Sequence, residues 1–349
     1  MIVLANFFLK SIIRNTQLLL GFLLLWLGCS QPKIENTFTG QTMGTTYSIK
    51  IISNNTIPES LKIQKGIDSV LKIVNLQMST WIPSSEISRF NQNQTTKTIM
   101  VSHDLANIIK KSIIISEATN GAFDVTVYDL LRLWGFGPNP KKKGPLKKDI
   151  KRVLENIGYR NLVIEQGGIR KLNPKLKIDL NSIAKGDGVD RVFNWMASKG
   201  FKDIFIEIGG EVRCSGLNIN RQHWKVGIDF PNIGQSSSKK LAGVVTLNNS
   251  VLATSGNYRN YIKRGGRIIG HTIDPRIGNP VETNVLSVSV IAKTCMEADA
   301  WATALMVMSY NQGREVILKQ TGLNACWILS KPDGNIIIEK TPGFNIQNS

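Results

Sequence analysis

Histidine and cysteine are scarce in this chain, with three histidines and four cysteines among 349 residues. There is no C-x-x-C pair and no histidine at metal spacing, so the sequence carries neither a zinc pattern nor a disulfide framework. Beyond Cys29, the remaining Cys214, Cys295 and Cys326 read as small core residues. Aromatic residues make up only 7%, and no basic stretch interleaves with them, which excludes a stacking platform for nucleic acid. Acidic residues are few as well: 25 against 43 Lys plus Arg, for a net charge of +18. That balance favours anionic partners such as nucleotides, acidic phospholipid or acidic proteins. The basic residues are scattered, however, with short runs only at 141–143 and 147–148, so most of them read as solvated surface. A hydrophobic content of 42% supplies a real core and excludes a disordered or fibrous chain.

The one long apolar run is N-terminal. Lys10 and Arg14 precede LLLGFLLLWLG, which ends at Cys29. The run falls short of the roughly 20 apolar residues that span a bilayer. A basic start, a short apolar core and a small residue before cysteine read as a lipoprotein export signal over 1–28, with Cys29 carrying the lipid. Trp26 departs from that pattern, and an uncleaved N-terminal anchor is the alternative. Either reading places the folded body on the extracytoplasmic face of a bacterial membrane. Residues 29–40 are polar and aperiodic and read as a tether, leaving 41–349 as the body.

Within the body, alternation in TYSIKI predicts a strand, and Ile67, Val70, Leu71 and Val74 recur at helical spacing. Ser102 is an N-cap candidate for a helix with Leu105, Ile108, Ile109 and Ile113 on one face, stopped by Asn120 and Gly121. A third helix carries Val189, Val192, Phe193 and Met196. Strand-like segments IFIEI, AGVVTL, LSVSVIA, ACWIL and NIIIE follow, the last two joined by the turn residues 332–334. The expected fold is a single α+β domain with a mixed or antiparallel sheet packed by helices.

Three segments carry chemistry. In TCMEADAWATALMVM, Thr294 and Glu297 stand at capping-box spacing. Beyond them only Asp299 and Thr303 are polar, one turn apart on one face of an apolar helix. A carboxylate on so apolar a helix needs a partner. Either a Lys or Arg pairs with it, or Asp299 and Thr303 together offer oxygen ligands to a hard cation such as Mg²⁺; residue chemistry leaves both open. In KIDLNSIAKGDGVD, a strand-like start runs through Asp179 to Lys185 and Gly186 at a helix start, which suits phosphate. In LATSGNYRNYI and GHTIDPRIGNP, Thr254, Ser255 and Gly256 supply hydroxyls and a permissive backbone, while Asp274 to Gly278 has turn chemistry. His271 lies in the same stretch and by itself reads as structural or as a base.

Taken in order, these segments resemble the ApbE family of FAD:protein FMN transferases. The resemblance includes QTMGTTYSI (41–49), MSTWIPSSEISRFN (78–91), GAFDVTVYDLLRLWGFGP (121–138), DLNSIAKG (179–186), EIGGEVRCSG (207–216) and CMEADAWATAL (295–305). It implies an enzyme that takes FAD as substrate, holds Mg²⁺ against the pyrophosphate, and transfers FMN to a Thr or Ser hydroxyl of another exported protein, such as a respiratory redox subunit. AMP would be the leaving group. By the same resemblance, Asp299 and Thr303 ligate the metal through side chains and Ala184 through its carbonyl. Met43 and Trp81 sit against the cofactor, with Trp81 in place of the usual Tyr. Asp179, Lys185, Gly210, Thr254, Ser255 and His271 surround the FAD. His271 is the candidate for taking the acceptor proton and Asp274 is its rival. Asn181, Ser182, Asp187, Thr272 and Ile277 depart from the family pattern. The competing readings are a Mg²⁺-dependent FAD pyrophosphatase and a non-catalytic flavin-binding lipoprotein.

Overall fold

Apolar and polar residues alternate through Thr45–Ser53 (β2), turning Tyr47, Ile49 and Ile51 inward, as a half-buried strand requires. The structure is a computed structural model that describes residues 32–57, 59–141, 143–231, 240–256, 261–264 and 267–347. The export signal and Cys29 lie outside these residues. Ile34–Thr42 (β1) pairs with β2 along its whole length, from Ile34 opposite Ser53 to Thr42 opposite Thr45. Residues 34–40 are therefore a strand and not the expected tether. They gave no strand signal because β1 is a sheet edge that buries only Phe38 and Thr42; its order comes from pairing with β2 and not from an apolar face of its own.

Six further strands complete the principal sheet: Asp203–Ile208 (β3), Glu211–Ser215 (β4), Val251–Gly256 (β5), Val285–Ile291 (β6), Asn324–Ser330 (β7) and Ile336–Lys340 (β8). Their order in space follows the chain, and every neighbouring pair is antiparallel. Alternate residues divide between two faces. Ile204, Ile206, Ala253 and Trp327 join the large core under the helices. Val212, Cys214, Leu252 and Cys326 join a smaller cluster with the hairpin Trp224–Asp229 and Leu241–Leu247. Cys214, Cys295 and Cys326 are buried free thiols, as expected of core residues. The architecture is α+β, with an antiparallel principal sheet.

Helix α1 (Ser60–Met78) buries Ile67, Leu71, Val74 and Met78, and Glu86–Gln92 (α2) follows it. His103–Ala118 (α3) begins where Ser102 accepts the Leu105 N–H and is stopped by Asn120 and Gly121, both at positive φ. Tyr128–Trp134 (α4) and Lys147–Leu154 (α5) are short. Ala184–Ser198 (α6) crosses α1 at Gly66, where an added Cβ would stand 2.2 Å from the Trp195 ring. Arg191 of α6 bonds Gln77 of α1 at 2.8 Å and Asp104 of α3 at 2.9 Å. It also pairs with Asp187 at 2.6 Å.

Helix α7 (Cys295–Val307) buries ten of its thirteen residues, so its orphan N-terminal amides need partners from the protein. Thr294 accepts the Glu297 N–H at 3.2 Å. Asp190 of α6 accepts Cys295 N–H at 3.1 Å and Met296 N–H at 2.9 Å, and also pairs with Arg213. A carboxylate from one helix thus caps the next. Asp190→Ala would leave two amides and a guanidinium unpaired and is expected to lower stability by about 2–4 kcal/mol, measured by urea unfolding; Asp190→Asn should recover part of that loss.

Candidate active site

The N-termini of α6 and α7 approach so closely that a Cβ at Gly186 would stand 2.3 Å from the Cys295 carbonyl oxygen. Because residue 186 has no side chain, its backbone N–H reaches across and donates to Asp299 Oδ2 at 3.0 Å. Asp299 is 2% exposed. Its second oxygen, Oδ1, stands 3.6 Å from Lys185 Nζ. One turn along α7, Thr303 shares a hydrogen bond with Ser255 at 3.3 Å. Both residues line a cavity of about 950 Å³, together with Ala184, Lys185, Asp179, Thr254, Ser255 and His271.

Lys185 meets the first of the two partners that residue chemistry left open for Asp299, but it is shared. Its ammonium lies 2.8 Å from Glu211 Oε1 and 3.6 Å from Asp299 Oδ1. Burial would lower its pKa, but Asp299 and Glu211 outweigh that and push it up. Glu211 is 1% exposed and its Oε2 has no hydrogen-bond partner. Burial pushes its pKa up, and the Lys185 ammonium pulls it back down. Two carboxylates thus face one ammonium. Among the described residues, no three His, Cys, Asp or Glu side chains form a self-sufficient metal cage. The Asp299 carboxylate beside the Thr303 and Ser255 hydroxyls at the cavity wall does fit a Mg²⁺ whose shell is completed by water and phosphate oxygens.

Glu211 was missed in the sequence, although its signal is there. Along β4, Val212 and Cys214 belong to the smaller cluster, so Glu211 and Arg213 alternate toward the helices, where a charged side chain needs a partner. Gly210, expected at the FAD, does not line the cavity. It forms the two-residue turn with Gly209, both at positive φ, between Ile208 and its partner Glu211. Its contribution is to place Glu211.

Asp274 also stands outside the cavity lining, unlike His271. Arg276 grips it with Nε at 2.9 Å and Nη2 at 2.7 Å, and the Arg276 amide donates to it as well. Of the two candidate bases, His271 is the one that lines the cavity. The His271 ring meets Phe136 edge-on at 6.5 Å.

Asp179 faces the cavity with both oxygens held: Asn181 donates its N–H at 2.9 Å and its amide NH₂ at 3.2 Å, and Thr80 approaches at 3.4 Å. Asn181 therefore has a role in holding Asp179. Burial raises the pKa of Asp179. Asp124, not singled out from the sequence, also lines the cavity. It accepts from Thr126 N–H and Oγ1 and from Tyr159 N–H, at 2.7–2.8 Å. At the rim, Trp81 is 63% exposed and offers an open aromatic face.

Met43 and Gly44 form the two-residue turn between β1 and β2, with φ of +49° and +72°. This turn prefers Asn-Gly, because positive φ strains other side chains. Met43 nevertheless lines the cavity, and its methyl occupies the space that a Cβ at Gly188 would fill.

The model of the ApbE family matches residues 43–327. A Vibrio cholerae protein named FAD:protein FMN transferase is 40% identical over 304 residues, covering 87% of this chain and 90% of that protein. A Haemophilus influenzae protein of the same name is 34% identical, covering 90% and 92%. Among solved structures, the flavin transferase ApbE from Vibrio cholerae superposes with a TM-score of 0.81 at 37% identity, covering 90% of this chain and 99% of that one. The apo flavinyl transferase ApbE from Pseudomonas stutzeri gives 0.80 at 30% identity, covering 89% and 95%. Sequence and fold agree along almost the whole of these proteins: the chain belongs to the ApbE family.

Proposed function

We propose that this chain is a Mg²⁺-dependent FAD:protein FMN transferase that moves FMN from FAD to a Thr or Ser hydroxyl of an exported acceptor protein and releases AMP. The observation that carries this reading is the pairing of Asp299 and Thr303 at the cavity wall, beside Lys185 and the N-terminus of α6. Lipidation at Cys29 would hold the enzyme at the extracytoplasmic face of the membrane, where exported acceptors are found.

Asp299, Thr303 and the Ala184 carbonyl are the residues that would hold Mg²⁺. When bound, the ion would neutralise the pyrophosphate and make the FMN phosphorus more electrophilic. Phosphoryl chemistry of this kind rests on positioning and charge neutralisation. The chain's own residues serve both needs. The Lys185 ammonium at the start of α6 favours phosphate. Trp81 and Met43 give the flavin an aromatic face and an apolar contact. His271, the candidate base that lines the cavity, takes the proton of the acceptor hydroxyl.

The test mixes the chain lacking residues 1–28 with FAD, Mg²⁺ and a candidate acceptor domain. Flavin fluorescence that survives on a denaturing gel is the expected result; AMP with free FMN alone would instead identify a pyrophosphatase. Asp299→Ala should lower transfer by about 10²–10³-fold, and His271→Asn by about 10²-fold or more. Met43→Asn relieves the strained turn and is expected to raise stability by about 1 kcal/mol in urea unfolding, while weakening FAD binding measured by flavin fluorescence. Unchanged FAD binding in that variant would remove Met43 from the cofactor site.

A further inference from the structure

Three charged side chains from three elements meet at one wall of the cavity: Lys185 of α6, Glu211 of β4 and Asp299 of α7. The single ammonium contacts Glu211 at 2.8 Å and faces Asp299 at 3.6 Å. Asp299 has little to spare, because Oδ2 already accepts the Gly186 N–H. Oδ1 is the oxygen left for a cation, and it is also the oxygen that Lys185 approaches.

We propose that Glu211 is a positioning residue that holds the Lys185 ammonium away from Asp299, keeping Oδ1 open to a divalent cation. The inference rests on the metal reading of Asp299 and Thr303 given above. An ammonium and a divalent ion compete for the same lone pairs and the same negative charge. In a buried site that competition is strong, because charges interact far more there than in water. Glu211 is well placed to win the lysine. The Gly209-Gly210 turn fixes its backbone, and its Oε2 lacks any hydrogen-bond partner, so the carboxylate is under-supplied with donors. The path of the lysine is restricted too, since its stem passes over the turn, with Cδ 3.3 Å from where a Gly209 Cβ would lie. Without Glu211, the carboxylate remaining beside the ammonium is Asp299, and the lysine becomes a built-in competitor of the metal.

The experiment measures Mn²⁺ binding to the chain lacking residues 1–28 by electron paramagnetic resonance of the free ion. No turnover is required. Glu211→Ala and the shape-preserving Glu211→Gln are both expected to weaken Mn²⁺ binding by about 10–100-fold, the usual scale for an outer-shell residue. Removing the competitor as well, in the Glu211→Ala/Lys185→Met double variant, should restore affinity to within about 3-fold of Lys185→Met alone, a rescue that no outer-shell loss would otherwise show. Wild-type affinity in both single Glu211 variants would overturn the proposal. So would a double variant that stays as weak as Glu211→Ala, since Glu211 would then be a ligand itself. Mn²⁺ binding indifferent to Asp299→Ala would overturn the metal reading and this proposal with it, whereas binding lost in Asp299→Ala but retained in the Glu211 variants rejects this proposal alone.

Discussion

The site depends on one close contact, the approach of α6 to α7 at Gly186. With any side chain there, the Cys295 carbonyl would be displaced, and the amide that orients Asp299 would lose its reach. Asp190, one turn further along α6, fastens the same junction by capping the first amides of α7. Packing and function therefore share their residues: the contact that seats a buried helix also aims its carboxylate into the cavity. A carboxylate this buried is sustained by donors on one oxygen and compensating charge near the other.

Charge balance around the junction gives the cavity its chemistry. Lys185 lies between Glu211 and Asp299, so two acidic side chains share one ammonium at the wall where a cation and a phosphate would meet. The same cavity also has apolar and aromatic lining, Met43 and Trp81 among it. Charged and apolar lining in one cavity suits a ligand that joins phosphate to a flat ring system. The strained turn at Met43 fits this view, since non-glycine residues at positive φ cluster at functional sites.

Much of this was legible in the sequence where the signal is local. Asp299 and Thr303 stood out because helical periodicity puts them on one face of an otherwise apolar helix, and Ser102 and Thr294 announced their helices by cap chemistry. Contacts between distant segments were not legible. Gly186 and Asp299 are 113 residues apart, and nothing in either segment names the other. Strand β1 was hidden because its order comes from pairing. Glu211 was overlooked beside its glycines, although the period of two along β4 points it at the helices. The grip of Arg276 on Asp274, the rival candidate to His271, was not legible either. The resemblance to the ApbE family supplied the reaction; the structure supplied the reasons particular residues stand where they do.

The central claim, that the α6 to α7 contact aims Asp299 at a divalent cation, is tested most directly by Gly186→Ala. FAD binding would be followed by flavin fluorescence with and without Mg²⁺, in protein that retains the wild-type circular dichroism spectrum. The account predicts that the Mg²⁺-dependent gain in affinity falls by about 10-fold or more. A folded variant that keeps the full gain would contradict it.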